Sequence, residues 1–205
     1  MMNKTFWNER YQANETTYGI EPNDFFKSQL DQLTPGKLLL PAEGEGRNAL
    51  YAARQGWQVT AYDFSEVARI KTLQQALHLN LLNIEYHVQD LSQIELPENT
   101  FDAIGIIFVH LPESIRKHLH GTCVQSLRPG GRIILEVFSK SQLQYNSGGP
   151  KDYDLLSSLE ILQQDFAPLT MNLMEERLIE LSEGFFHSGP AHVVRMVATK
   201  DSQPK

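Results

Sequence analysis

The sequence predicts an α/β fold: a doubly wound, mostly parallel seven-stranded sheet with an antiparallel strand pair at its C-terminal end. Short apolar runs alternate with helical segments between Leu38 and Phe138, which is typical of parallel strands joined by right-handed crossover helices. Residues 101–108 are almost continuously apolar, as expected of a central strand that is covered on both faces. The last third of the chain then holds two strand-like runs joined by a linker that contains glycine and proline, which favours an antiparallel pair.

Residues that interrupt regular structure bound the predicted elements. Pro41 ends the first strand because proline cannot donate to a sheet ladder. Gly56 ends the helix that follows, and Ser65 or Asp63 can cap the next helix. The segment Arg128–Gly131 stops the helix before the fifth strand. The predicted strands are 38–40, 57–62, 84–88, 101–108, 132–138, 170–181 and 191–200. The predicted helices are 25–33, 49–55, 66–79, 113–127 and 155–166.

Length and composition restrict the class of protein. A chain of 205 residues suits a single domain, here 1–205, with an aromatic N-terminal arm (1–30), a sheet core (37–140) and a C-terminal segment (141–200). The formal net charge of −7 disfavours nucleic acid or an anionic membrane as a partner. No run is long and apolar enough to span a membrane, and no secretory signal is visible, so we expect a cytoplasmic protein. Cys123 is the single cysteine, which rules out an intrachain disulfide, and we expect it to be a buried apolar residue.

The loop after the first strand is the leading candidate for a ligand site. It reads Ala42-Glu43-Gly44-Glu45-Gly46-Arg47-Asn48 and leads directly into a helix. Glycines let the backbone approach a ligand closely, and the start of a helix offers free N–H groups, so this arrangement is typical of nucleotide-like ligands. Asp63 follows the second strand about twenty residues later, the spacing at which an acid meets a ribose. We expect Arg47 and Arg54, on the helix, to be solvated.

The N-terminal arm is unusually aromatic. Trp7 and Tyr11 are four residues apart and share a face if the segment is helical. Two interpretations stay open for the aromatic residues of the arm: they cover an edge of the sheet, or they fold over a bound ligand.

These features together resemble the class I S-adenosylmethionine-dependent methyltransferases over essentially the whole chain. The resemblance rests on four motifs in order: the loop 42–48, Asp63-Phe64-Ser65, Asp90-Leu91, and the turn 127–131 before the fifth strand. The arm segment 6–11 and Glu45-Gly46-Arg47-Asn48 look most like the branch that contains the tellurite-resistance and thiopurine methyltransferases. The resemblance implies an enzyme that uses S-adenosylmethionine to methylate a small molecule, with a thiol or a chalcogen anion as possible acceptors.

The resemblance also implies roles for individual residues. Backbone groups of the loop around Gly44, with Ala42 and Glu43, would face the methionine part of the cofactor. Asp63 would accept hydrogen bonds from the ribose hydroxyls and Asp90 from the adenine amino group. The remaining residues that would contact or border the cofactor are Trp7, Tyr11, Phe64, Leu91, Val109 and His110. Residues 141–200 would lie on the substrate side.

The first motif departs from the family pattern. Leu40 stands where an acid is usual, Ala42 replaces the first glycine, and Glu43 occupies a position that is usually small. Because alanine avoids positive φ more strongly than glycine does, the loop is expected to be reshaped. Glu43 or Glu45 is a hypothetical replacement for the missing acid, as a partner of the cofactor's amino group.

No catalytic residue follows from the sequence, because transfer from a sulfonium requires mainly alignment of the reacting atoms and exclusion of water. A protonated acceptor would need a base, for which the candidates are His110, His187 and Tyr18. Each site residue also has a structural interpretation: Asp63 as a helix cap, Asp90 as a turn residue, His110 as a corner and His187 as a solvated loop residue. No Cys/His cluster has the spacing of a metal site.

Two other functions fit parts of the sequence. The pattern Gly44-x-Gly46-x-x-Ala49 fits the fingerprint of an NAD(P)-dependent oxidoreductase, although no hydride-transfer constellation accompanies it. The altered first motif is also compatible with a methyltransferase fold that serves as a non-catalytic binding module. An antiparallel strand inserted beside the fifth strand would favour methyl transfer over the oxidoreductase.

Overall fold

The computed structural model describes residues 4–14 and 16–202. Within these ranges the helices alternate with the strands as the sequence predicts. The helices are α1 (Lys4–Ala13), α2 (Asp24–Leu30), α3 (Arg47–Arg54), α4 (Glu66–His78), α5 (Glu113–Ser126) and α6 (Leu159–Asp165). The strands are β1 (Lys37–Pro41), β2 (Gln58–Asp63), β3 (Ile84–Val88), β4 (Phe101–Ile107), β5 (Leu127–Phe138), β6 (Thr170–Ser182) and β7 (Ser188–Thr199).

The described strands form one sheet of seven strands in the order β3-β2-β1-β4-β5-β7-β6. The first five strands are parallel, and β7 pairs antiparallel with both β5 and β6. The predicted fold class is therefore confirmed. The insertion of β7 beside β5 is the arrangement that distinguishes the methyltransferase interpretation from the oxidoreductase interpretation.

Two predicted boundaries differ from the structure by four or more residues. The turn at 128–131 belongs to β5, because Phe101 pairs with Leu127 and Lys200 exchanges backbone hydrogen bonds with Gly130 and Gly131. The helix predicted at 155–166 begins only at Leu159. A bridge between Ser139 and Ser157 keeps the preceding residues extended, and Ser158 then caps α6.

The core lies on both faces of the sheet. Leu39, Ile104 and Ile133 belong to a buried cluster on one face, and Leu38 and Ala103 belong to a second cluster on the other. Cys123 is fully buried in the first cluster, and burial raises the pKa of its thiol to about 12, so the predicted apolar role is confirmed. Within the described ranges, no helix is both long and apolar enough to cross a membrane.

Candidate functional site

The sheet reverses its winding between β1 and β4, which are neighbours although they are not consecutive in the chain. The connections that leave their carboxyl ends diverge there, and this crevice is where open α/β sheets bind ligands. The loop 42–46 leaves β1 at this point, and residues 108–110 leave β4. The candidate site is built from these two connections, the end of β2 and the N-terminal arm.

The loop after β1 adopts left-handed backbone conformations. Gly44 has φ 63° and Gly46, the residue before α3, has φ 83°. Ala42 has φ 53°, so the loop keeps a conformation that favours glycine although this position has a Cβ. Gly46, the N-cap residue of α3, has no side chain that could cap the helix, so its first backbone N–H groups need another acceptor.

Asp63 holds the loop in place. Its Oδ2 accepts a hydrogen bond of 2.9 Å from the backbone N–H of Gly44, and its Oδ1 accepts one of 2.9 Å from Ser65. Burial raises the pKa of Asp63 to about 6, while these N–H groups favour the ionised form. The cap of α4 is the hydroxyl of Ser65, which accepts from Ala68. Asp63 is therefore not the helix cap, and each of its oxygens keeps a lone pair for a further donor.

Glu43 lies against the start of α3. Its Oε1 accepts a 2.7 Å hydrogen bond from the backbone N–H of Ala49, and its Oε2 is 3.5 Å from the amide nitrogen of Asn48. Burial raises the pKa of Glu43 to about 7. The acid that departs from the family pattern therefore completes the helix start and titrates near neutrality.

The arm lies on the loop. The rings of Trp7 and Tyr11, both on α1, stack with their centroids 5.6 Å apart. A Cβ added to Gly44 would be 2.8 Å from the hydroxyl oxygen of Tyr11, so this ring sits directly on the loop backbone. Ser65 donates a 2.6 Å hydrogen bond to Oδ1 of Asn8. Trp7 and Tyr11 therefore fit the interpretation in which rings fold over a ligand, whereas Phe25 and Phe26 of the same arm are buried against the sheet and fit the other.

A lysine from α4 fastens the arm to the loop. The Nζ of Lys71 donates to the backbone oxygens of Tyr11 (2.5 Å) and Asn14 (2.6 Å), and to Oε1 of Glu45 (2.7 Å). The Oε2 of Glu45 accepts a 2.7 Å hydrogen bond from the N–H of Thr17. A cation at the C-terminal end of α1 also interacts favourably with the helix dipole. Both carboxylate oxygens of Glu45 are therefore bound, one by Lys71 and the other by the backbone N–H of Thr17.

The residues predicted to surround an adenine differ in how far they are exposed. Asp90 is exposed, and its Oδ1 accepts from the N–H of Ser92, which starts a short 3₁₀ helix. Leu91 is 3% exposed and belongs to the core cluster under the sheet edge. Phe64 and Val109 are half-buried. Asp90 therefore acts as a turn residue, and its carboxylate is still accessible to a ligand.

A cluster of rings, which we call the acceptor-side cluster, fills the other half of the crevice. Its members are Tyr18, Phe108, Phe138, Phe186 and His187. Phe108 stacks on Phe138 with centroids 4.6 Å apart, and the ring of His187 lies 4.6 Å from both Tyr18 and Phe108. Phe108 has φ 52°, an unfavourable conformation for a bulky residue, so the backbone is strained where it presents this ring.

His187 is the histidine of this cluster with a free nitrogen. Its Nδ1 is 3.2 Å from Oε2 of Glu183, and no hydrogen bond reaches Nε2 from the described residues. Burial lowers the pKa of His187 despite the opposing effect of the carboxylate, so the neutral imidazole is favoured. Burial alone would raise the pKa of Glu183, but the hydrogen bond of His187 and the guanidinium of Arg47 lower it to about 2.

His110 and Tyr18 are less available as bases. The Nδ1 of His110 is 3.0 Å from the backbone oxygen of Leu155, and its Nε2 accepts a 3.4 Å hydrogen bond from the N–H of Phe138. Burial lowers the pKa of His110 to about 4. The hydroxyl oxygen of Tyr18 accepts a 3.1 Å hydrogen bond from Arg10, and burial raises the pKa of Tyr18. The geometry of His110 matches the interpretation as a structural corner.

The expectation that Arg47 is solvated is wrong. Its guanidinium forms a 2.9 Å ion pair with Glu183. Glu183 also accepts a 2.9 Å hydrogen bond from the amide of Asn23, which donates a second one of 2.6 Å to the buried Glu136. The backbone N–H of Asn23 donates to the side chain of Asn48 on α3. One buried network therefore joins the arm, the loop helix and the C-terminal strand pair. Arg54, by contrast, is exposed as expected.

One further groove lies outside this crevice. A groove of about 560 Å³ is lined by Lys27, Asp31, Tyr51 and Trp57 among others, on the outer side of α2 and α3. It contains none of the predicted site residues. In the described part of the chain, no group of three or more His, Cys, Asp or Glu side chains is placed to hold a metal ion.

Comparisons with known proteins agree with this architecture. A family model described as a methyltransferase domain matches residues 41–131. The thiopurine S-methyltransferase of Legionella pneumophila (strain Corby) is 25% identical over 212 residues, which cover 92% of this chain and 93% of that protein.

Two solved structures share the fold. TehB from Haemophilus influenzae superposes with a TM-score of 0.74 at 18% identity, covering 97% of this chain and 67% of that one. A structure from work on the conversion of a disulfide bond into a thioacetal group during echinomycin biosynthesis gives a TM-score of 0.79 at 18% identity, covering 100% of this chain and 94% of that one. With the sheet order and the loop after β1, these findings support a class I S-adenosylmethionine-dependent methyltransferase near the thiopurine methyltransferase and TehB branch.

Proposed function

We propose that this enzyme transfers the methyl group of S-adenosylmethionine to a small-molecule acceptor, a thiol or a chalcogen anion, bound against the acceptor-side cluster. The observation that carries the proposal is the hydrogen bond between Gly44 and Asp63, which joins the glycine loop and the strand-end acid at the switch point of the sheet. The single cysteine, buried and unreactive, suits the reducing cytoplasm in which we place the protein.

The residues at the switch point fit the cofactor. The carboxylate of Asp63 keeps unused lone pairs for two ribose hydroxyls, and a charge-assisted acceptor suits that role. The Cα face of Gly44 lies against the ring of Tyr11, and the side chain of Glu43 holds the start of α3 beside it. We assign Ala42, Glu43 and Gly44 to the methionine part, with the ionised form of Glu43 facing the amino group. Asp90, Phe64 and Leu91 are assigned to the adenine side, and Trp7 and Tyr11 form the cover.

The acceptor-side cluster would place an acceptor next to Val109 at the end of β4. Its rings provide apolar faces on several sides, and a flat or polarisable acceptor can pack between them. Gly148 and Gly149 close the cluster from the C-terminal segment: a Cβ on Gly148 would lie 2.7 Å from a ring carbon of His187, and one on Gly149 would lie 2.7 Å from the ring of Phe138. This packing keeps water away from the acceptor.

When bound, S-adenosylmethionine supplies a methyl group that is already electrophilic because it is attached to a sulfonium. The protein's own contribution is to orient the acceptor, to exclude water and to remove a proton where one is present. The Nε2 of His187 can accept that proton, since Glu183 holds the opposite nitrogen and stabilises the imidazolium that forms. An acceptor that arrives as a thiolate or a selenolate needs no base.

Calorimetric titration tests the proposal. We expect S-adenosylmethionine and S-adenosylhomocysteine to bind with micromolar affinity, whereas NAD and NADP should not bind. The variant Asp63→Asn should lose at least about tenfold in affinity, because a hydrogen bond to a charged group is replaced by one to a neutral group. Unchanged affinity in this variant would contradict the role of Asp63.

A matched control is Asp102→Asn, at the opposite end of the sheet, where Asp102 pairs with Arg128. Its cofactor affinity should equal that of the wild type. Turnover is then measured with thiols, selenite and tellurite as acceptors. Binding of both adenosyl ligands without methylation of any member of this panel would contradict the proposed acceptor class.

A further inference from the structure

Arg10, on α1, holds an uncompensated charge beside the acceptor-side cluster. Its guanidinium carbon lies 4.6 Å from the ring centroids of Phe6 and Phe186. One nitrogen, Nη1, donates a 3.1 Å hydrogen bond to the hydroxyl of Tyr18. Among the described residues, no carboxylate lies within ion-pairing distance of Arg10. A guanidinium has five N–H donors, so most of its donors are available.

The absence of a carboxylate partner for Arg10 is unusual in view of the charges around it. The chain carries a formal net charge of −7, and the neighbouring Arg47 is neutralised by Glu183. The carboxylate of Glu45 is bound by Lys71. Ring faces stabilise a cation only in part, and a half-buried guanidinium gains more from a planar oxyanion that it can bind with two parallel hydrogen bonds.

The position of Arg10 fixes which end of an acceptor it can meet. Tyr18 lies between Arg10 and His187: its hydroxyl contacts Arg10, and its ring is 4.6 Å from the imidazole. The reacting atom belongs near His187 and the end of β4, so Arg10 is separated from that atom by about the width of a ring. It therefore faces the part of the acceptor that does not react.

We propose that Arg10 is a specificity-determining residue that binds an oxyanion, such as a carboxylate, at the non-reacting end of an aromatic acceptor. This inference rests on the proposed function, since it concerns the molecule that the acceptor-side cluster holds. The arm that covers the cofactor thus also contributes the group that selects the acceptor. A charge contact remote from the reacting atom fixes the orientation of the ring, which aligns the nucleophile.

The test compares two aromatic thiols that differ by one carboxylate. Thiophenol and 4-mercaptobenzoate are titrated calorimetrically into protein saturated with S-adenosylhomocysteine, so that no turnover is needed. We expect the wild type to bind 4-mercaptobenzoate at least about tenfold more tightly than thiophenol. Arg10→Met should remove this preference while the affinity for thiophenol stays the same, and Arg10→Lys should retain part of it, since lysine keeps the charge but not the planar fork.

The control Arg54→Met removes an exposed arginine on α3 and should keep the full preference. Equal binding of the two thiols by the wild type, binding of neither, or a preference that persists in Arg10→Met would overturn the inference and leave Arg10 as a stacking residue of the arm. The affinity for S-adenosylhomocysteine is measured first and separately reports on the proposed function. The same two thiols titrated into protein without S-adenosylhomocysteine test Arg10 even if that ligand does not bind.

Discussion

The carboxylate of Glu183 lies 3.2 Å from Nδ1 of His187 and 2.9 Å from the guanidinium of Arg47. One acid therefore orients the imidazole and is itself anchored by the helix that begins at the cofactor loop. The carboxylate sets the tautomer of His187, and no hydrogen bond from the described residues reaches its Nε2. The imidazole that we propose as proton acceptor is therefore positioned by a carboxylate that the loop helix also holds.

Replacement of His187 should separate acceptors by their protonation state. For an acceptor that is protonated at the working pH, His187→Gln should lower kcat by about 10²-fold, the usual contribution of a positioned base. For an acceptor that is already a thiolate, kcat should change little. Steady-state assays with one acceptor of each kind measure the difference. Equal losses with both acceptors would assign His187 to packing alone.

The pH profile should report on Glu183. The carboxylate raises the pKa of His187 against the larger lowering by burial, and the Arg10 and Arg47 charges also lower it. Glu183→Gln should therefore move the acidic limb of kcat/KM for a protonated acceptor to lower pH, because the imidazole then loses its proton more easily. The wild-type limb should lie below the ordinary histidine value of about 6.5. A limb that moves to higher pH would contradict the contact.

Glu43 should make the enzyme less stable as the pH rises. Its folded-state pKa of about 7 is above the ordinary value of 4.5, so the folded protein holds this proton more tightly and loses stability between these two values. Glu43→Gln should then exceed the wild type by about 1–3 kcal/mol in free energy of unfolding at pH 8, and by little at pH 4. Urea unfolding at both pH values measures this, with the exposed Glu98→Gln as control.

The same variant tests the contact with the cofactor. If the ionised carboxylate faces the amino group, the affinity for S-adenosylmethionine should weaken in Glu43→Gln at pH 8, and the wild-type affinity should fall as the pH drops below 7. Equal affinity in the two proteins at pH 8 would restrict Glu43 to its role at the start of α3.

Ala42 should be a site where glycine stabilises the fold. A non-glycine residue at φ 53° costs about 1–2 kcal/mol, of which the greater freedom of glycine in the unfolded chain offsets a part. Ala42→Gly should raise the free energy of unfolding by up to about 1 kcal/mol, measured in urea. The control Ala53→Gly, inside α3, should lower it by about 1 kcal/mol. Destabilisation in both variants would show that the methyl group of Ala42 matters more than its backbone.

Lys71 should control how firmly the arm is held. Lys71→Met removes the hydrogen bonds to Tyr11, Asn14 and Glu45, so amide hydrogens in 4–17 should exchange faster. We expect the affinity for S-adenosylhomocysteine to fall by about tenfold, because part of the binding energy then closes the arm. The control Lys117→Met breaks only an exposed ion pair with Glu113. Unaltered exchange in the arm would contradict the contact.

The sheet could be predicted from the sequence because the signals for each strand lie within the strand itself or next to it. Apolar runs such as 101–108, and breakers such as Pro41 and Gly56, act within a few residues. The strand pair at the end was also predictable, since its alternation and linker are local. The start of α6 was not, because the bridge between Ser139 and Ser157 that delays it joins residues 18 positions apart.

The contacts of the site were less accessible to sequence reasoning. Arg47 pairs with a residue 136 positions away and Lys71 with one 26 positions away, and no local pattern marks such partners. The charged residue Arg10 was visible within the aromatic arm, but its lack of a carboxylate partner is a property of the fold. The main-chain partners of His110 are likewise set by tertiary structure.

The ring of Tyr11 on the backbone of Gly44 has a consequence for the timing of each catalytic cycle. On the proposed assignment, a cofactor beneath that ring would be exchanged only after the arm lifts, which requires Lys71 to release two carbonyl oxygens and a carboxylate. We therefore expect the cofactor to bind before the acceptor and its spent form to leave last. Turnover would then be limited by the opening of a ten-residue helix rather than by the methyl transfer itself.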